Sequence, residues 1–407
     1  MTTPTDFNMN LLIPLFSPAT GTWGGLTRSL AVAEAAQDAG HRVAFCASGY
    51  LERTLRERGF QVYATPPTTM LGLPKSMSRF LERRSQRASI PVRPGTSIGN
   101  IWLVLLFSGF ARSGFLRRLT QAEMDAAEDF GADHIFTDLD PGAFLMARVT
   151  GLPIASAYAS IAEHGRGTMP WKVVRRATNQ TLAAFGSPPT NPDELCFGPS
   201  VLKIIPSVPD LDETDPDRND VRYVGHLISP IQLAAEMELD LESGQRAVFV
   251  YVGTGSISLD RLEAVLPVLF PVEGDRRCFV GVQTIEASYR IEGVHFHPYV
   301  PAEVLLPFCD WTICHGGQNT IIQSLLNDVP VLIFPGPIFE RRYNARKVQE
   351  AGAGFWGEID RFTTEWLLAA MAKRDEILPG TAALGARLCA SGGPRTAVEA
   401  IKGWGAS

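Results

Sequence analysis

Cysteine is scarce and unpatterned. Six residues (46, 196, 278, 309, 314 and 389) occur in 407, and none forms a C-x-x-C pair. That argues against a zinc ribbon or a disulfide scaffold, and reads as reduced core thiols in a cytoplasmic protein. Positive charge is not in excess either: 37 Lys and Arg face 43 Asp and Glu, giving a net charge of −6. Nucleic acid is therefore not expected as the main partner. No apolar run is long enough to span a bilayer; residues 98–110 come nearest but are short and broken by Gly99 and Gly109. The opening MTTPTDFNMN lacks the basic start of a secretory signal, and no solenoid-like repeat is visible. What is present is ordinary globular composition, 45% hydrophobic and 20% charged, at a length that suggests two domains.

The first half reads as alternating strands and helices. Met9 to Phe16 is a buried-strand run, Ser17 to Gly25 a loop, Leu26 to Asp38 a helix and Arg42 to Cys46 the next strand. This is a β-α-β unit with a right-handed crossover, which implies a parallel sheet. Gly40-His41 reads as a helix C-cap. A charged helix over 51–59 and a short strand over 61–64 follow. Thr65 to Gly99, rich in Pro, Ser and Arg, reads as a solvated loop. Ile101 to Phe130 is largely helical, and Ala132 to Asp138 is a strand ending in an acid. Asp138-Leu139-Asp140 is a D-x-D, a pattern that can hold a divalent metal but is short and common. A strand over 151–157, the loop residue His164, a helix over 171–185 and a last strand at 203–206 complete this half.

The acidic PDLDETDPDRND at 209–220 reads as a connection between domains. A second β-α-β unit follows: strand 247–252, a glycine turn Gly253-Thr254-Gly255-Ser256, helix 259–269 and strand 277–283. His295 and His297 form an H-x-H that puts both rings on one strand face, but no third metal ligand is near in sequence.

The most informative stretch runs from Asp310 to Gly354. A strand, Trp311 to Cys314, meets His315-Gly316-Gly317. Gln318-Asn319-Thr320 then opens a helix, and residues 329–335 form the next strand. The first N–H groups of a helix lack intrahelical partners and lie at the positive end of its dipole. Glycines let an anion approach them closely, and His315 and Thr320 add donors. The turn suits a diphosphate; the plainer reading is a tight strand–helix turn with a structural histidine.

This stretch resembles the donor signature of the GT-B nucleotide-sugar glycosyltransferases, specifically the bacterial antibiotic-type members of the UDP-glycosyltransferase superfamily. The family pattern H-G-G-x-x-T is met by His315, Gly316, Gly317 and Thr320. Asp328-Val329-Pro330 stands for G-V-P, followed by Pro335 and Asn344-Ala345. The resemblance implies two Rossmann-like α/β domains facing across a cleft. They would be an acceptor domain at 1–208, a linker at 209–221, a nucleotide-sugar domain at 222–385 and, at 386–407, a C-terminal helix packing back on the first domain. It implies a donor site at Gly253, Thr254, Gly255, Ser256, Tyr299, Val300, His315, Gly316, Gly317, Asn319, Thr320 and Gln323, with Glu340 and Arg341 where the family's Asp-Gln reads sugar hydroxyls. Tyr299 would stack on the base. Gln323 replaces the family's ribose-binding Glu, leaving an uncharged acceptor. Trp23, Gly24, Gly25, Asp140 and His164 fall on the acceptor side.

One departure is chemical. The family's base histidine corresponds to Gly25, which cannot take a proton. Asp138 stands where the family has the acid that orients that histidine, so Asp138 is the candidate general base; the alternative is a strand-end Asp capping the following helix. The resemblance implies inverting transfer of a sugar from UDP- or TDP-sugar to a small hydrophobic acceptor, without a metal or other cofactor, in the cytoplasm; a homodimer is left open. Two alternatives stay open: a non-catalytic nucleotide-sugar-binding relative, and a C-glycosyltransferase acting on a phenol.

Overall fold

Two seven-stranded sheets organise the chain. The computed structural model describes residues 8–16, 24–73, 77, 99–229, 239–252 and 257–405. Trp23, the turn 253–256 and most of the Arg-rich segment before Gly99 lie outside these residues.

The first sheet has β1 (Asn10–Pro14), β2 (Arg42–Ala47), β3 (Gln61–Ala64), β4 (His134–Thr137), β5 (Ile154–Ala157), β6 (Val201–Ile205) and β7 (Val221–Tyr223). Its order is β3-β2-β1-β4-β5-β6-β7, with every pairing parallel. Strands buried on both faces need near-continuous apolar sequence, and Leu11, Leu12 and Ile13 are all fully covered. Helices α1 (Gly24–Asp38), α2 (Ser113–Phe130) and α3 (Pro141–Thr150) supply part of that cover.

The second sheet has β8 (Arg246–Tyr251), β9 (Arg276–Gly281), β10 (Tyr289–Ile291), β11 (Val294–His297), β12 (Cys309–Cys314), β13 (Val331–Ile333) and β14 (Gly354–Trp356). Its order is β10-β11-β9-β8-β12-β13-β14, parallel except for the β10–β11 pair. Helices α4 (Leu259–Leu269), α5 (Gln318–Leu326), α6 (Phe339–Glu350) and α7 (Arg374–Ala390) pack on it. In each sheet the strand order reverses once beside the first strand, between β1 and β4 and between β8 and β12. Ligands of open α/β sheets bind outside the carboxyl ends at such points.

Two boundaries differ from the sequence reading. Residues 221–223 were expected to open the second domain, but they pair with β6 as the edge strand of the first sheet, and Val224 and Leu227 bury in that lobe's core. Lys203 explains the attachment. Its fully buried ammonium lies 2.5 Å from Asp220 and also donates to the Gly198 and Val201 carbonyls, so the segment before β7 is tied to β6 by a charge pair. At the other end, α7 stays with the second lobe through Leu384 and Leu388. The return to the first lobe is made by α8 (Gly393–Gly403), whose Ala397, Val398 and Ile401 bury beside α1. Burial of a Val or Ile side chain is worth about 1.5–3 kcal/mol, so this short helix fastens the lobes together.

Candidate active site

The donor-side turn lies at the carboxyl end of β12. That strand is buried along its whole length. The chain leaves it at His315, turns through Gly316 and enters α5 with Gly317 at the N-cap position and no side chain capping it. Gly316 has φ 89°, and a Cβ there would lie 2.8 Å from the Arg341 carbonyl oxygen and 3.1 Å from Ile333 Cγ2. Only glycine meets both demands. Asn344 Nδ2 donates to the Gly316 carbonyl at 2.9 Å, so α6 pins the turn from behind. Asn344 thus has a mechanical task here.

His315 Nδ1 lies 3.2 Å from the Tyr251 carbonyl. A carbonyl only accepts, so Nδ1 carries the proton and the neutral ring leaves a lone pair on Nε2, beside Gly317. Burial, reinforced by the Arg341 charge, pulls the imidazole down to about 4. Thr320 is buried in the first turn of α5, and Gln323 is half-buried one turn later.

Tyr299 is 37% exposed, an unusual state for a large ring and the right one for a stacking platform. Partial burial still pushes its hydroxyl up to about 12. The side chain of Val300 is buried in the core, so that residue has only its backbone to offer a ligand. Glu340 and Arg341 do not sit in a loop. The segment after β13 ends at Ile338, and both residues belong to the first turn of α6, Glu340 exposed and Arg341 half-buried.

Across the cleft, Asp138 directly follows β4 and is 8% exposed. Leu139 follows with φ 61°, a left-handed conformation that is an outlier for leucine. Such strain, on the order of 1–3 kcal/mol, collects at functional sites. Here it separates two acids that the sequence places side by side. Asp140 turns inward, where its Oδ1 accepts from Gly142 N at 2.7 Å and caps α3. It is 3% exposed, and burial raises its carboxyl to about 6. Glu123 of α2, also buried, is raised well above the usual range by burial and by Asp140. Asp140 therefore belongs to the lobe's interior and not to the acceptor face. The cap of α3 is Asp140, not Asp138.

Asp138 is engaged by a residue that sequence reasoning missed. Arg28 of α1 places Nε and Nη2 each 2.9 Å from Asp138 Oδ2. Its Nη1 donates to Asn319 Oδ1 at 3.2 Å, and Asn319 Nδ2 donates back to Thr27 at 3.3 Å. The two lobes thus meet at the mouth of α5. Gly25 leaves room for this: its Cβ would lie 3.0 Å from Asp138 Oδ2. Gly24 begins α1 beside Arg28. His164 is exposed, yet it stacks on Phe339 of the second lobe with ring centroids 4.5 Å apart. The pair lines an open interlobe groove of about 530 Å³ with Tyr343 and Lys347.

Among the described residues no group of three or more His, Cys, Asp or Glu side chains could hold a metal ion. His295 and His297 have nearly parallel rings, with Phe279 stacked against both. No helix among the described residues is long and apolar enough to cross a membrane.

Comparison with known proteins agrees with this geometry. The glycosyltransferase of kitacinnamycin superposes with a TM-score of 0.71 at 17% identity, covering 97% of this chain and 98% of that one. The calicheamicin glycosyltransferase CalG4 gives 0.70 at 14%, with the same coverage. VinC, solved in complex with DTDP, gives 0.65 at 17%, again covering 97% and 98%. The chain has the GT-B fold. Residues 286–383 of this GT-B chain match the C-terminal domain family described as erythromycin biosynthesis protein CIII-like. Demethyllactenocin mycarosyltransferase of Streptomyces fradiae is 29% identical over 115 residues, 28% of this chain and 25% of that protein. The 10-deoxymethynolide desosaminyltransferase of Streptomyces venezuelae is 36% identical over 81 residues, 18% and 19% of the two chains. These matches span a quarter or less of the curated relatives' own lengths.

Proposed function

We propose that this protein transfers a sugar from a nucleotide diphosphosugar, UDP or TDP, to a small hydrophobic acceptor, inverting the anomeric centre. The observation that carries the reading is the uncapped start of α5, at the carboxyl end of β12, joined through Asn319 to the Arg28–Asp138 pair of the first lobe. The names of the relatives support it, since each is a glycosyltransferase or a transferase of a deoxysugar. In this reading the α5 amides and Thr320 take the diphosphate, His315 joins them once the bound anion has put a proton on Nε2, Tyr299 stacks on the base and Gln323 accepts from the ribose. Charge that grows on the leaving diphosphate meets donors already in place, the arrangement that contributes most in oxyanion stabilisation. The acceptor oxygen attacks the anomeric carbon as the bond to the diphosphate breaks, and Asp138 takes the acceptor's proton. No metal or other cofactor enters this scheme. A cytoplasmic setting fits six cysteines, none of them paired.

Asp138 Oδ2 already accepts from two nitrogens of Arg28, so taking the acceptor's proton competes with that pairing. That pairing suits an acceptor whose hydroxyl is itself acidic, such as a phenol, for O- or C-transfer. It also favours a second reading, a nucleotide-sugar-binding relative that does not turn over. Incubation with UDP- and TDP-sugars separates the two. Slow donor hydrolysis or product, reduced by Asp138→Asn, is expected. Donor binding without turnover, and no effect of Asp138→Asn, would favour the binding protein.

A further inference from the structure

Helix α6 carries four basic residues, and three of them have acids. Arg342 pairs with Glu358 and donates to the Gly336 carbonyl. Arg346 lies 3.5 Å from Glu350, and Lys347 lies 3.0 Å from Glu213. Arg341 differs: its guanidinium has no hydrogen bond and no ion pair among the described residues, although the side chain is half-buried. Its backbone presses on the donor turn, with the carbonyl oxygen 2.8 Å and Cβ 3.3 Å from where a Gly316 Cβ would be. Its charge is felt at Tyr251, Cys314 and His315, the carboxyl ends of β8 and β12. A guanidinium withdrawn from water without a counter-charge costs stability. Glu340, the adjacent residue, is exposed and makes no ion pair with it among the described residues, so it offsets this only through space. His315 is neutral, and the start of α5 is the positive end of a helix dipole. This corner of the cleft collects positive potential, and its neighbouring carboxylate, Glu340, faces solvent.

Resting on the nucleotide-sugar reading above, we propose that Arg341 is a receptor for an anionic oxygen group of the donor, and so a specificity-determining residue. Two parts of a donor carry such a group: the diphosphate, and a carboxylate on the sugar ring, as in a uronic acid. A forked guanidinium suits either one, and better than lysine does.

Calorimetric titration of the full chain and of Arg341→Gln with TDP, UDP-glucose and UDP-glucuronate tests this, with Arg341→Lys as the conservative variant. Arg341→Gln is expected to weaken binding by about tenfold to a hundredfold, the range for a lost charged hydrogen bond, with partial recovery in Arg341→Lys. An equal loss for all three ligands places the anion on the diphosphate. A loss confined to UDP-glucuronate places it on the sugar. The unliganded Arg341→Gln protein should melt no lower than the parent, since the change removes an unpaired charge. If the parent binds TDP and Arg341→Gln binds all three ligands within twofold of it, the proposal is overturned while the nucleotide-sugar reading stands. If the parent binds none of the three, both fall.

Discussion

The two switch points of this molecule are built alike and finished differently. In each, a buried strand ends and the helix that follows it in the chain begins near the cleft. On the donor side the turn is held open. Asn344 and Arg341 brace Gly316 from behind, no side chain caps α5, and the Arg341 guanidinium has no ion pair among the described residues. On the acceptor side the corresponding space is filled from within. Arg28 lies against Asp138 and reaches across to Asn319. One site waits for charge from a ligand; the other has already satisfied its own. A diphosphate can therefore bind the first without rearrangement, whereas chemistry at the second must work with a carboxylate that is held in a pair.

Substitutions on the two sides should part accordingly. The largest effect belongs to the donor turn: His315→Ala should lower the transfer rate by about 10²–10³, as loss of one donor to the leaving diphosphate does once the bound anion has protonated Nε2. Initial rates with saturating donor measure it. Next comes the acceptor pair. Arg28→Ala leaves Asp138 buried without its counter-charge and should cost up to about 3 kcal/mol in denaturant unfolding. The double variant Arg28→Ala/Asp138→Asn should recover much of that loss, a coupling that a double-mutant cycle reads directly. Tyr299→Ala should then weaken nucleotide affinity by about 1–3 kcal/mol, the worth of one base–aromatic stack, and leave the melting temperature nearly unchanged.

The smallest effect concerns the interior acid beside the acceptor face. Asp140 titrates near 6 in the fold and near 3.8 in the unfolded chain. The folded state therefore holds more protons between these values, and stability falls as pH rises from about 4 to 6. Asparagine keeps the cap of α3 without the charge. The stability difference between Asp140→Asn and the parent should move in favour of the variant by on the order of 1 kcal/mol across that window, with melting at pH 4 and pH 7 as the measurement.

Most of the scaffold could be read from the chain because its strands are long apolar runs bounded by glycine turns and its helices are evenly patterned. β7, β10 and β14 escaped because three residues make no period and, unlike β13, they do not sit in a longer apolar run. The start of α6 at Phe339 was hidden too: no Ser, Thr, Asp or Asn caps it, and Ile338 holds that position. The donor turn was legible because its chemistry is local, a few consecutive residues supplying both the amides and the space. Arg28 was not, since its partners are 110 and 291 residues away and one arginine on an amphipathic helix carries no signal. The two acids of D-x-D looked equivalent in sequence; the left-handed Leu139 sends them to opposite sides of a wall.

Equilibrium dialysis of the purified chain against labelled TDP and UDP addresses the central claim most directly. One nucleoside diphosphate retained per chain, displaced by the matching nucleotide sugar and weakened by His315→Ala, is the result predicted from the open start of α5. Retention of neither nucleotide at millimolar concentration would contradict it.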